Sequence, residues 1–135
     1  GDGFHGWASA ESIIMIRNLV VREVRLVNGE EALIWLSGFR EKWLMGEARV
    51  ENIYTPWSVA ALELAGGILK LKGLSNAVTQ IFSLPADWTV RYAGSPDALR
   101  SLAADRISPA LAAERAYFVL DNHEAAAELV IQKRV

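Results

Sequence analysis

Residues 55–84 read TPWSVAALELAGGILKLKGLSNAVTQIFSL, and the fold of the chain turns on how this stretch is divided. Thr55-Pro56 has the form of a helix start: a Thr oxygen can accept an orphan backbone N–H, and Pro at the first helical position loses nothing by lacking one. Gly66-Gly67 has the form of a stop. Between them, Trp57 to Ala65 (WSVAALELA) is rich in Ala and Leu, so it reads as a helix. Ile68 to Lys72 (ILKLK) alternates apolar and basic residues, the pattern of a half-buried strand. Gly73 turns the chain. Ser75 to Leu84 (SNAVTQIFSL) then puts Ala77, Val78, Ile81 and Phe82 on one helical stripe that ends at Pro85.

Upstream, Leu19 to Val27 (LVVREVRLV) reads as a strand broken by charges at 22, 23 and 25. Asn28-Gly29 follows, the strongest short hairpin signal, and Glu31 to Leu36 (EALIWL) returns. Trp43 to Tyr54 (WLMGEARVENIY) is a third strand, with Gly46 as a candidate bulge. Ser9 to Ile16 carries conflicting signals, for a short capped helix or a further strand. Downstream, Trp88 to Ala93 reads as a strand. Helices are expected from Ser95-Pro96-Asp97 to about Arg106 and from Ser108-Pro109 to about Arg115. Tyr117 to Leu120 is a short strand, Asp121-Asn122 a turn, and Ala127 to Val135 a closing strand. Strands first and alternation later predict the α+β class, in which a mixed or antiparallel sheet packs against two to four short helices. The expected organisation is one domain over 1–135, with 1–8 disordered, 9–54 strand-rich and 55–135 mixed.

Composition narrows the function. The 135 residues are 52% apolar and 22% charged, which excludes a disordered chain and fits one core. No apolar run approaches the roughly 20 residues that cross a bilayer, so no membrane partner is expected. The absence of Cys removes disulfide frameworks, thiol nucleophiles, Cys-type zinc sites and iron–sulfur clusters. No basic, then apolar, leader opens the chain, and the cytoplasm is the default location. With 14 Lys+Arg against 16 Asp+Glu, the chain is no strongly basic nucleic-acid binder. Within 66–93, however, Lys70, Lys72 and Arg91 stand against Asp87 alone. A mean hydropathy of +0.17 leaves apolar surface that favours a homodimer or other homo-oligomer.

Motifs for chemistry are few. Asp121-Asn122-His123-Glu124 is the one place where a His sits among carboxylates, as a general base oriented by an acid would. The same residues also suit a solvated turn. Two His without an i, i+4 pair do not make a metal site, and no phosphate-cradling glycine motif implies a cofactor. Gly73-Leu74-Ser75-Asn76-Ala77 lacks the last Gly of a nucleophile elbow, so Ser75 reads as a helix cap. Of the five Trp, Trp35, Trp57 and Trp88 fall at core positions, and Trp43 is the one expected to be partly exposed.

Taken together, 55–93 and 116–135 run as capped helix, strand ending in a basic residue, Gly, helix, strand and a late strand entering Lys133-Arg134. With Ser75-Asn76-Ala77-Val78 in the second helix, this order resembles the Alba superfamily of small nucleic-acid-binding proteins, which includes the stage V sporulation protein S family. The resemblance implies a non-catalytic module that contacts DNA or RNA through Lys70, Lys72 and Arg91. Ser75 and Asn76 at a helix N-terminus would add donors for a phosphate. Two other classes stay open: a homo-oligomeric structural or regulatory interaction domain, and an enzyme using the Asp121/His123/Glu124 loop.

Overall fold

The computed structural model describes residues 17–92, 98–108, 115–121 and 123–134. Its elements run β1 (Val21–Arg25), β2 (Glu31–Trp35), α1 (Glu41–Leu44), β3 (Ala48–Tyr54), β4 (Val59–Ala65), β5 (Ile68–Lys72), β6 (Thr79–Pro85), β7 (Trp88–Tyr92), β8 (Leu99–Leu102), α2 (Ala104–Ile107), β9 (Arg115–Leu120) and β10 (Ala127–Lys133). Residues 17–20 add a third short helical turn. The class is α+β, dominated by strands. They form two five-stranded sheets, sheet I in the order β1-β2-β6-β9-β8 and sheet II in the order β3-β4-β5-β10-β7. Every pairing is antiparallel except β2 with β6. Strands from 1–54 enter both sheets, so the two halves of the sequence are one structure.

The sheets pack face to face. Leu33, Trp35, Phe82, Leu84, Phe118 and Leu120 of sheet I meet Leu62, Leu64, Leu69, Leu71, Leu129 and Ile131 of sheet II in one cluster. Two polar side chains enter this core fully satisfied. Trp35 Nε1 donates to Gln80 Oε1 at 2.6 Å, and Gln80 Nε2 donates to the Ser75 carbonyl at 3.0 Å. Removing either would strand a buried polar atom.

The Asn28-Gly29 hairpin forms as its chemistry demands, with Gly29 at φ +91° and Asn28 Oδ1 accepting from the Glu30 N–H. The stretch 55–84 is different from its expected reading. Residues 59–65 are strand β4, not helix: Ala60, Leu62 and Leu64 are buried on one face while Val59 and Glu63 are exposed on the other. Thr55 Oγ1 does cap backbone N–H groups, those of Trp57 and Ser58, but as the turn of the β3–β4 hairpin. Gly66 and Gly67 both hold positive φ (58° and 78°), as a two-residue hairpin between β4 and β5 requires. The expected helix 75–84 is strand β6 from Thr79 on, buried on both faces. Gly73, at φ +74°, lies so close to the Val59 carbonyl that a Cβ there would clash with it.

Three further expectations change. Residues 41–44 form α1, so the third strand begins at Ala48, and its irregularity falls between Val50 and Ile53, with Asn52 at φ +56°, rather than at Gly46. Leu99–Leu102 is a strand where a helix to Arg106 was expected, Ala104–Ile107 is helical, and the expected helix start at Ser95-Pro96-Asp97 lies outside the described residues. Residues 1–8, the segment Ser9 to Ile16 and most of the expected helix from Ser108 lie outside the described residues. Trp35 and Trp88 are buried, and Trp43 and Trp57 are half-buried. Among the described residues no helix is long and apolar enough to cross a membrane.

Candidate functional site

Sheet register builds a cleft at one end of sheet I. On the outer face of sheet I, Ala32, Ile34, Ile81, Tyr117 and Val119 are buried, with Leu102, Ala104 and Ile107 packed against them. One step along each strand, at the end where β2, β6 and β8 begin and β9 stops, the face turns polar. Glu30 precedes Ala32, Thr79 precedes Ile81, Arg100 precedes Leu102, and Asp121 follows Val119. Because neighbouring strands share register, these side chains converge into one cleft of about 720 Å³. Glu31, Asn76, Ala77, Val78, Leu120 and His123 complete its lining.

Two crossover loops close that end. The β5–β6 and β9–β10 connections each pass from one sheet to the other, and they run side by side. Leu74 N–H donates to the Ala125 carbonyl at 2.9 Å and Asn76 Nδ2 donates to the His123 carbonyl at 3.1 Å. Asp121 is held by its N–H to the Ala98 carbonyl at 2.7 Å and by Arg100 Nε, which donates to Asp121 Oδ2 at 2.7 Å. Thr79 Oγ1 reaches Glu30 Oε2 only at 3.5 Å, and Glu31 faces Arg25 at 3.6 Å, so both glutamates are loosely engaged.

His123 is the one deeply buried polar group of the cleft, at 7% exposure. Its Nδ1 lies 2.8 Å from the Glu124 carbonyl. A carbonyl can only accept, so Nδ1 carries a proton, and Nε2 is the nitrogen left to accept when the ring holds that proton alone. Nε2 has no hydrogen-bond partner among the described residues, and no side-chain polar atom there is both fully buried and unpaired, so Nε2 keeps some access to solvent on a residue that lines the cleft. The sequence marked Asp121, His123 and Glu124 for a base oriented by an acid. The ring is instead oriented by a main-chain carbonyl, while the Asp121 carboxylate is occupied by Arg100 and Glu124 is exposed. Among the described residues no Ser, Cys or Lys side chain lines the cleft. Among the described residues no three His, Asp or Glu side chains are placed to hold a metal ion.

The expected nucleic-acid residues fall elsewhere. Lys70, Lys72 and Arg91 do share the outer face of sheet II, but acidic residues interleave with them. Across four adjacent strands the charges alternate as Arg49, Glu63, Lys70 and Glu128. Lys72 stands opposite Ala61, and Arg91 opposite Val130. A smaller cavity of about 270 Å³ on this face is lined by Arg49, Glu51, Glu63, Lys70 and Lys72 among others. Ser75 and Asn76 are not at a helix N-terminus, because no helix follows them. Ser75 Oγ accepts from the Ala77 N–H in a tight turn, and Asn76 ties the crossover loops together. The two helices on which the Alba resemblance rested are therefore strand, which leaves β5, β7 and β10 as the segments where its expected elements stand.

Sequence reasoning singled out Asp121, His123 and Asn76 but missed Glu30, Glu31, Thr79 and Arg100. The signal for these four is positional. Glu30, Thr79 and Arg100 are each the first polar residue beyond an outer-face apolar run and Glu31 is the first residue of β2, which is legible only after the strands are assigned. No protein-family model matches the chain, and no curated protein and no solved structure matches it.

Proposed function

We propose that the chain is a non-catalytic binding module whose ligand occupies the cleft at the end of sheet I. The single observation that carries this reading is His123. A ring buried to 7% exposure, held by its Nδ1–H and left with an unpartnered Nε2, belongs to the lining of the cleft. Folding would ordinarily pair such an atom internally or leave it in bulk solvent. Pre-formed clefts with a few convergent polar groups are where small molecules bind. A binding role rather than a catalytic one is favoured because the His123 ring is oriented by the Glu124 carbonyl and not by a carboxylate, and no hydrogen bond among the described residues joins it to a hydroxyl. The charge-alternating face of sheet II favours no phosphate-tracking stripe, so the module is read as a small-molecule binder rather than a DNA or RNA binder.

The test is amide chemical-shift mapping with small amines, polyols, sugars and carboxylates at about 10 mM, enough to load a site of millimolar Kd. At least one class should shift residues 76–79 and 120–124 saturably, and Ala77→Trp, which fills the cleft from an exposed position, should abolish the shift. Labelled DNA and RNA should show no binding that weakens steeply with salt. Silence from every small molecule, or shifts that survive Ala77→Trp, would overturn the reading.

A further inference from the structure

The lining of the cleft is unequal in sign and in hydrogen-bonding sense. Glu30, Glu31 and Asp121 bring three carboxylates against the one guanidinium of Arg100. Adding Arg25, which approaches Glu31 at 3.6 Å from outside the lining, still leaves acid in excess. The free valences are acceptors as well. His123 Nε2 is an acceptor, Asn76 uses Nδ2 for the His123 carbonyl and keeps Oδ1, and Asp121 keeps Oδ1 after Arg100 takes Oδ2. The remaining side-chain donors belong mainly to Arg100, which gives its Nε–H to Asp121 and keeps the N–H groups of its two Nη atoms on a half-exposed side chain. An anion would meet repulsion here, and a neutral polyol would find few donors for its own oxygens. An N–H-rich cation meets both the charge and the acceptors.

Resting on the reading of the cleft as the binding site, we infer that its ligand is an organic cation, a primary ammonium or guanidinium, whose N–H groups are accepted by His123 Nε2 and by the Glu30, Glu31 and Asp121 carboxylates. The cation enters past Ala77 and stops at the buried imidazole, so Arg100 acts by holding Asp121 in place and not by contacting the ligand's charge.

Three molecules of matched length separate the possibilities: 1,4-diaminobutane, 1,4-butanediol and succinate. Chemical-shift titration of the full chain should give saturable binding of the diamine at the cleft residues and none of the diol or succinate. Glu30→Gln and Glu31→Gln, both at exposed positions that leave the core untouched, should each weaken the diamine about five-fold, the value of one unit charge a few ångströms away in a wet site. Raising salt from about 0.05 to 0.5 M should weaken it further, since screening shortens to a few ångströms. His123→Gln, which keeps polarity but withdraws the fixed acceptor, should weaken it as much as either Glu variant. A peptide arm, acetyl-Gly-Lys-Gly-amide, tells a free amine from a basic side chain: binding as tight as the diamine's assigns the site to a chain-borne lysine. Cleft binding by the diol or succinate and not the diamine would overturn this inference and leave the binding module standing. Diamine shifts indifferent to Glu30→Gln and Glu31→Gln would also overturn it. Failure of all three probes together with the wider panel would remove both.

Discussion

The two sheets are alike in strand number and opposite in their outer faces. Sheet I is apolar on both sides: Leu33 and Trp35 face the inter-sheet core, while Ala32 and Ile34 between them are equally buried on the other side. Sheet II is apolar on one side only, with Leu69 and Leu71 inside and Ile68, Lys70 and Lys72 exposed. The difference explains the sequence. A strand buried on both faces reads as an unbroken apolar run, and one buried on a single face reads as an alternation. EALIW and QIFSL are of the first kind, ILKLK and AELVIQK of the second. It also places the candidate site. The cleft forms where sheet I's second apolar face gives way to polar side chains, whereas the outer face of sheet II carries charged residues along β4, β5 and β10.

The sharpest way to break this comparison is one matched pair of truncations. Ile81→Ala removes a side chain that is 0% exposed on the outer face of sheet I, and should cost about 3–4 kcal/mol in urea unfolding. Ile68→Ala, at 39% exposure on the outer face of sheet II, should cost less than about 1 kcal/mol. Equal losses would mean that the outer face of sheet II is also covered.

A smaller effect is expected at the opposite end of sheet I's outer face. There the half-buried Arg115 donates to Ser83 Oγ and to the Leu36, Phe39 and Ser83 carbonyls at 3.0–3.3 Å. Burial lowers its pKa, and the neighbouring Tyr117 acts in the opposite direction. Leu36 itself holds a left-handed φ of 68°, and its carbonyl is one of those Arg115 binds. Arg115→Met keeps the stem and abandons the carbonyls, and should cost about 2–3 kcal/mol. A loss below about half a kcal/mol would show water replacing the guanidinium without penalty.

The smallest effect belongs to the rim of sheet II. Lys133 Nζ lies 2.6 Å from Glu41 Oε1 and 3.6 Å from Asp87 Oδ2. The Lys133 hydrogen bond, ahead of weaker help from Trp88, holds the Glu41 carboxyl below its ordinary 4.5, and Glu41 in turn raises Lys133 above 10.5. The contribution of Glu41 is present above about pH 4.5 and is lost as the pH falls through its lowered value. That of Lys133 is complete below about pH 10.5 and fades as the pH rises through its raised value. Lys133→Met should therefore lower the urea midpoint slightly at pH 7 and not at all well below pH 4. The difference at pH 7 should vanish near 1 M salt, where screening falls to about 3 Å. Persistence at high salt would point to lost packing of the lysine stem.

The strand segments that end in a strong turn were legible from residues alone. Asn28-Gly29, Gly73 and the alternation of Ile68 to Lys72 carry their own local physics, and β1, β2, β5, β7, β9 and β10 stand close to where the sequence put them. So does the α+β class. What misled was β4 and β6. VAALELA alternates, but with Ala and Leu filling both sets of positions the period of two is faint against a helix-forming composition. QIFSL has no period, because both of its faces are buried. Thr55-Pro56 and Gly66-Gly67 supply hydrogen bonds and positive φ that serve a hairpin as well as a helix end. Local propensity is worth fractions of a kcal/mol per residue, whereas pairing β4 and β6 into sheets buries whole Leu and Phe side chains, so the tertiary environment decides. The cleft is the extreme case. Glu30, Asn76, Thr79, Arg100, Asp121 and His123 are scattered over the chain, and their chemistry was fixed by the sequence one residue at a time. Only the register between β2, β6, β9 and β8, with two crossover loops tied together, places them around one cavity.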